Sequence, residues 1–154
     1  MNNTLLIGVG NEFRSDDALG ILVAREIHRR HLGDIRVLEF EGHGGSLLDA
    51  WEGVDHLLIV DAVNASAPPG SILRFDVSQS KLPAQLFQES SHAFGVAEAI
   101  ELARELHRLP ATVLFYGIIG ESFETGQGLS DRVLKTIPDL LQMIEEDVHA
   151  FELH

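Results

Sequence analysis

Four residues of this chain have types and settings that could do chemistry. Asp16 and Asp17 are adjacent carboxylates that follow the glycine-ended run Leu5–Gly10, and Asp61 follows the four apolar residues Leu57 to Val60. The fourth, His92, sits in Ser90-Ser91-His92-Ala93-Phe94-Gly95. Two carboxylates and an imidazole form a hard-to-borderline O,O,N set, suited to a divalent first-row metal with positions left open for water or substrate. The same groups could assist hydrolysis without a metal, a carboxylate taking the proton of an attacking water. Each residue also has an ordinary explanation. Acidic residues commonly open a helix, where unpaired N–H groups and the macrodipole favour negative charge. An Asp at a strand end can cap the next loop, here Ala62–Ala67. An isolated histidine is commonly a surface or satisfied core residue. What raises the four above these explanations is whether the fold brings them to one edge.

The elements that must position them can be read from periodicity. Leu5–Gly10 (LLIGVG), His56–Val63 (HLLIVDAV) and Thr112–Ile119 (TVLFYGII) are continuous apolar runs, the pattern of strands buried on both faces. Ile35–Phe40 (IRVLEF) predicts another strand, and Ser71–Val77 (SILRFDV) alternates as a half-buried strand at an edge would. Helical spacing runs from about Asp16 to His31 through Leu19, Val23 and Ile27, with Ser15 as its N-cap. It recurs in a short piece at Leu47–Trp51, from about Ala93 to His107, and over Leu134–Val148. Lys81–Ser91 reads as irregular, while Glu41–Ser46 and Gly120–Gly128 are glycine-rich loops. Apolar strands alternating with amphipathic helices specify an α/β fold. The expected architecture is one three-layer domain over residues 1–154, a twisted, mostly parallel sheet of about five strands with helices on both faces. Ligands of such sheets bind outside the carboxyl ends of the strands, where Asp16, Asp17, Asp61 and the segment before the His92 helix all fall.

Composition narrows the classes of function. A formal net charge of −13 over 154 residues repels phosphate backbones and anionic lipid, so neither nucleic acid nor a membrane surface is an expected partner. The absence of cysteine removes disulfide partners, thiolate metal sites and a cysteine nucleophile. No stretch approaches the roughly 20 apolar residues of a membrane span, and the first residues lack a basic segment, so the expected location is the cytoplasm. Gly8-Val9-Gly10 begins like a dinucleotide fingerprint, but Phe13 stands where its third glycine belongs and Asp16/Asp17 would crowd a pyrophosphate. Walker-type, zinc-protease and serine-hydrolase motifs are absent.

Read together, the segments LLIGVGNEFRSDDALGI, HLLIVDAV, SSHAFGVAEAIELAREL and LFYGIIGESFETGQGLSDRV resemble, in order, those of the nickel–iron hydrogenase maturation protease family. The likeness runs from about Leu5 to Val133. It implies a hydrolase, an endopeptidase that removes the C-terminal extension of a nickel-loaded hydrogenase large-subunit precursor. The family's metal-contacting positions carry over to Asp17, Asp61 and His92, and Asp16 matches a supporting acidic position, so the implied catalytic set is Asp16, Asp17, Asp61 and His92. The implied metal is nickel supplied by the precursor rather than held tightly by this chain. Asp17 is one methylene shorter than the Glu of some members, and Glu41–Ser46 matches the family's glycine loop only loosely, with His43 extra and expected to be exposed rather than ligating. Two other readings stand beside it: a checkpoint module that uses the same residues to bind the nickel-bearing precursor without cutting it, and a nucleotide-binding α/β domain.

Overall fold

The computed structural model describes residues 3–41, 47–83 and 91–153, with backbone alone for 91–94. The central strands are the continuous apolar runs. β1 (Thr4–Val9) is buried throughout, and β3 (His56–Val63) and β5 (Thr112–Ile119) are buried at every position but their first. The two patterned runs, β2 (Ile35–Phe40) and β4 (Ile72–Asp76), are only partly covered and form the edges. The sheet order is β2-β1-β3-β5-β4; all neighbours are parallel except β4, which runs antiparallel to β5. The expected five-stranded, mostly parallel sheet is therefore present, as is the edge position of β4.

Helices cover both faces. α1 (Leu19–Arg30) and α4 (Asp131–Glu152) pack on one side, where Val23, Ile27, Leu140 and Ile144 meet Leu6, Leu58, Val60 and Tyr116. α2 (Leu47–Ala50) and α3 (Ser91–Glu105) cover the other, where Leu48, Val96 and Ile100 meet Ile7, Leu57, Ile59 and Phe115. Strand alternation divides β3 accordingly: Leu58, Val60 and Ala62 face α1 and α4, while Leu57, Ile59 and Val63 face α2 and α3. No helix among the described residues is long and apolar enough to cross a membrane.

The largest departures from the sequence reading are the limits of the first and last long helices, while α3 starts at Ser91 rather than Ala93. The first helix does not begin at Asp16 with Ser15 as its N-cap. Ser15–Ala18 is a 3-10 turn, Ala18 is the N-cap of α1, and the Ser15 hydroxyl donates instead to the Glu124 carbonyl at 2.8 Å. The cause is a distant partner: the Ser15 and Asp16 amides donate to the carbonyls of Gly126 and Ser122, each at 3.0 Å, so this stretch pairs with a loop instead of closing α-helical bonds. The last helix is longer than Leu134–Val148, and near its end Phe151 stacks on His56 with ring centroids 4.1 Å apart. The loop portion Gly42–Ser46, with His43, and residues 84–90 of the irregular stretch lie outside the described residues.

The glycines of the first motif serve packing. A Cβ on Gly8 would lie 2.1 Å from the Gly20 carbonyl oxygen, and one on Gly20 would lie 2.2 Å from that of Val9 and 2.5 Å from that of Val60. Only backbone fits there, so the start of α1 lies directly on the ends of β1 and β3. Gly20→Ala should therefore reverse the usual helical preference. In place of a gain of about 0.5–1 kcal/mol, we expect a loss of about 3 kcal/mol from overpacking. Gly95→Ala in α3, where nothing among the described residues lies within 4 Å of the added carbon, should stabilise. Urea unfolding midpoints of the two variants read the contrast.

Candidate functional site

The chain leaves β1 toward β2 on one side and later enters β3 on the other side of β1, so the carboxyl ends of β1 and β3 flank a topological switch point, the usual place for a ligand crevice. The 3-10 turn carries Asp16 and Asp17 over this gap. Backbone contact sets its height: a Cβ on Gly10 would lie 2.0 Å from the Asp17 carbonyl oxygen, and that oxygen accepts the Asn11 amide at 3.2 Å. In a helix of three residues per turn, neighbours point about 120° apart. The two adjacent acids consequently meet different surroundings.

Asp16 is fully buried and saturated. Its carboxylate accepts the amides of Glu121 (2.7 Å), Ser122 (3.1 Å) and Ser130 (2.7 Å) and the Ser130 hydroxyl (2.8 Å). Three backbone donors and a hydroxyl around one carboxylate are a strong binding set for the anion, each bond to a charged group contributing about 1.5–3 kcal/mol. They fasten the loop between β5 and α4 to the loop after β1. Arg14 reinforces this junction through its Nε–H to the Phe123 carbonyl at 3.3 Å and a bridge to Gly126.

Asp17 and Asp61 are brought together. Asp17 is 2 % exposed and Asp61 is inaccessible. Asp61 belongs to the odd set of β3, on the α2/α3 side, and stands in register with Gly117 of β5, which places no side chain beside it. Neither of its carboxylate oxygens makes a hydrogen bond of normal geometry within the described structure. Burial, and then the nearby charge of Asp17, push its pKa well above the usual carboxylate range, against a smaller opposing effect of the Ala62 amide. Asp61 does not stand at the start of a loop, because β3 continues to Val63.

His92 is in the first turn of α3, and its side chain lies outside the described residues. Helical spacing puts position 92 one turn before Val96 and two before Ile100, both buried against the sheet face to which Asp61 belongs. Among the described residues, no three His, Asp or Glu side chains are grouped so as to hold a metal ion. The structure thus joins Asp17 to Asp61, gives Asp16 separate partners, and describes the position of His92 at the level of the backbone. The partners of Asp16 in the 121–130 loop escaped the sequence reading; the only local trace was the glycine-rich composition of that loop.

Comparison with known proteins gives a consistent result. A family model described as hydrogenase maturation protease matches residues 21–147, an interval that includes Asp61 and His92 and begins after Asp16 and Asp17. The chain is similar to the hydrogenase 2 maturation protease of Escherichia coli strain K12, with 28% identity covering 91% of this chain and 87% of the relative. It is equally similar to a putative hydrogenase maturation protease of Methanocaldococcus jannaschii, at 28% identity covering 91% and 92%. Among solved structures, it superposes on the hydrogenase maturating endopeptidase HybD from E. coli with a TM-score of 0.81 and 28% identity, covering 92% of this chain and 89% of that one.

The isolation of Asp61 has a cost that pH should reveal. Its folded-state pKa lies above the unfolded value of about 3.9, so the folded chain keeps a proton that the unfolded chain releases. Its contribution to stability is fully present below that unfolded value and is lost as pH rises through the folded one. Asp61→Asn should therefore be more stable than the parent at pH 7, with the difference closing as pH falls toward about 4. Asp16→Ala should do the opposite, losing about 3 kcal/mol or more at pH 7 as buried donors lose their acceptor. Urea titrations across pH measure both.

Proposed function

The chain belongs to the hydrogenase maturation protease family and is a hydrolase, and we propose that it removes the C-terminal extension of a nickel-loaded hydrogenase large-subunit precursor. The observation that carries this reading is the pair of buried carboxylates, Asp17 and Asp61, at the carboxyl edge of the sheet. Asp61, whose oxygens make no hydrogen bond of normal geometry within the described structure, is poised there for a cation or a proton. The ion is part of the substrate: nickel held by the precursor's own ligands is met by Asp17, Asp61 and His92, two oxygens and a neutral imidazole, which suits a borderline divalent ion. With no cysteine to contribute, the chain reads nickel as a mark of a finished precursor and does not store it.

Hydrolysis follows from the same groups. Water adds to the scissile carbonyl carbon while a carboxylate takes its proton; the C–N bond then breaks and the proton passes to the leaving amine. Asp61, in its ionised form, is the acid left to act as that base, since its oxygens accept no hydrogen bond of normal geometry within the described structure. Asp16, with four hydrogen bonds already accepted, is the positioning residue that fastens the loop beside the crevice.

The test is processing of the precursor followed by mass spectrometry of its C-terminus. Nickel-loaded precursor should be shortened and nickel-free precursor should remain intact; equal cleavage of both would defeat the recognition role. Ala at position 17, 61 or 92 should abolish processing while the protein still unfolds cooperatively. An intact tail under every condition would favour the checkpoint reading, and a fully active His92→Ala would remove the imidazole from the site.

A further inference from the structure

We propose that the open edge of β2 receives the precursor's C-terminal extension as an added antiparallel strand, with the extension's free α-carboxylate at the end bearing Arg36 and His28. The inference rests on the processing activity proposed above and concerns where the tail lies once its scissile bond is in the crevice.

The backbone supplies the first observation. The Gly10 amide donates to the Phe40 carbonyl at 3.0 Å, so Phe40 turns its polar groups toward β1. Alternation along the strand turns those of Leu38 and Arg36 the same way and those of Val37 and Glu39 outward. Val37 and Glu39 therefore present main-chain donors and acceptors along an edge where no further strand pairs among the described residues. Edges are commonly protected by charged side chains, proline, bulges or a covering element, and here the charges are Arg36 and Glu39, the latter held by Arg25. The run IRVLEF contains no proline and pairs without a bulge at all six positions.

The second observation is the space on both sides of that edge. A groove of about 330 Å³ lies toward α1, lined by Ala24, Arg25, His28 and Val37. A second, of about 560 Å³, shares His28, Val37 and Leu38 with the first and continues past Arg36 to Leu5 and Ala50 on the α2 side. Successive side chains of an added strand point to opposite faces, and the joined grooves leave room on both sides of the edge.

Direction and charge select the occupant. The carboxyl end of β2 is bonded to Gly10, against which Asp17 packs, so this edge begins beside the candidate site. A tail leaving the crevice crosses the ends of β1 and β2 within about three or four extended residues and then runs from Phe40 toward Ile35. That direction is antiparallel to β2. Its far end lies near Arg36 and His28. Arg25 is already held by Glu12 and Glu39, whereas Arg36 forms no ion pair among the described residues, its hydrogen bond being to Asn3 Oδ1 at 3.4 Å. A segment that must end in a free carboxylate fits this unpaired guanidinium in a chain of net charge −13.

The experiment uses the full chain and the nickel-loaded precursor. Val37→Pro removes an outward donor without touching the β1 ladder, and should raise KM for the precursor about fivefold with kcat unchanged. Arg36→Glu should raise KM at least as much. Shortening the tail to about four residues beyond the scissile bond should raise KM for the parent enzyme and abolish the difference between parent and variants. Should Val37→Pro fail to fold, Arg36→Glu and the shortened tail decide. Unchanged KM for Arg36→Glu and for the shortened tail would overturn the proposal while leaving the processing activity standing. A dimer that Val37→Pro converts to monomer with KM unaffected would assign the edge to a second copy and overturn it as well. Failure of the parent to cut any precursor would remove the processing reading and this inference together.

Discussion

Contact of bare backbone with bare backbone at the start of α1 is the constraint on which the site depends. Gly8 and Gly20 let the helix rest on the carbonyls of Val9 and Val60, and Gly10 lets the Asp17 carbonyl settle on the end of β1. A side chain at any of these points would meet a backbone oxygen at 2.0–2.2 Å, so the helix and the turn before it would have to shift. The glycine pattern that resembles a nucleotide loop is in this chain a seat for a helix. The space that a pyrophosphate would need is filled by the chain's own main chain.

From that seat follows an electrostatic arrangement with two parts. Asp16 is surrounded by donors and holds two loops together; Asp61 is drawn out of water with little compensation among the described residues. Proteins keep such groups where an incoming ion or a proton completes them. Fold and function therefore pull in opposite directions at Asp61, whose burial lowers the stability of the empty protein and gives it something to offer a substrate. The four hydrogen bonds that Asp16 accepts on the neighbouring turn offset part of that penalty.

The limits of β2, β3 and β5 were legible because each is an uninterrupted or patterned run bounded by polar and glycine residues, and strand burial reports itself in composition. Placement of Asp17 and Asp61 near one another followed from the rule that parallel sheets bind at their carboxyl edge. The division of labour within Asp16–Asp17 was not legible. It arises from a 3-10 turn imposed by residues 122 to 130, more than a hundred positions away, and local periodicity carries no trace of a partner so distant. The N-cap expected at Ser15 failed for the same reason, its hydroxyl being drawn to Glu124.

The Asp16 clasp also ties the acidic turn to the order of folding. Its bonds join segments 105 to 114 residues apart, among the contacts whose loop-closure entropy must be met before they form. A chain that has formed β1, β2 and α1 but has not docked β5 and α4 lacks the loop that backs the acidic turn. In such a chain the Asp16 carboxylate has none of its four donors, so the turn is fixed only when the early and late segments of the molecule have met.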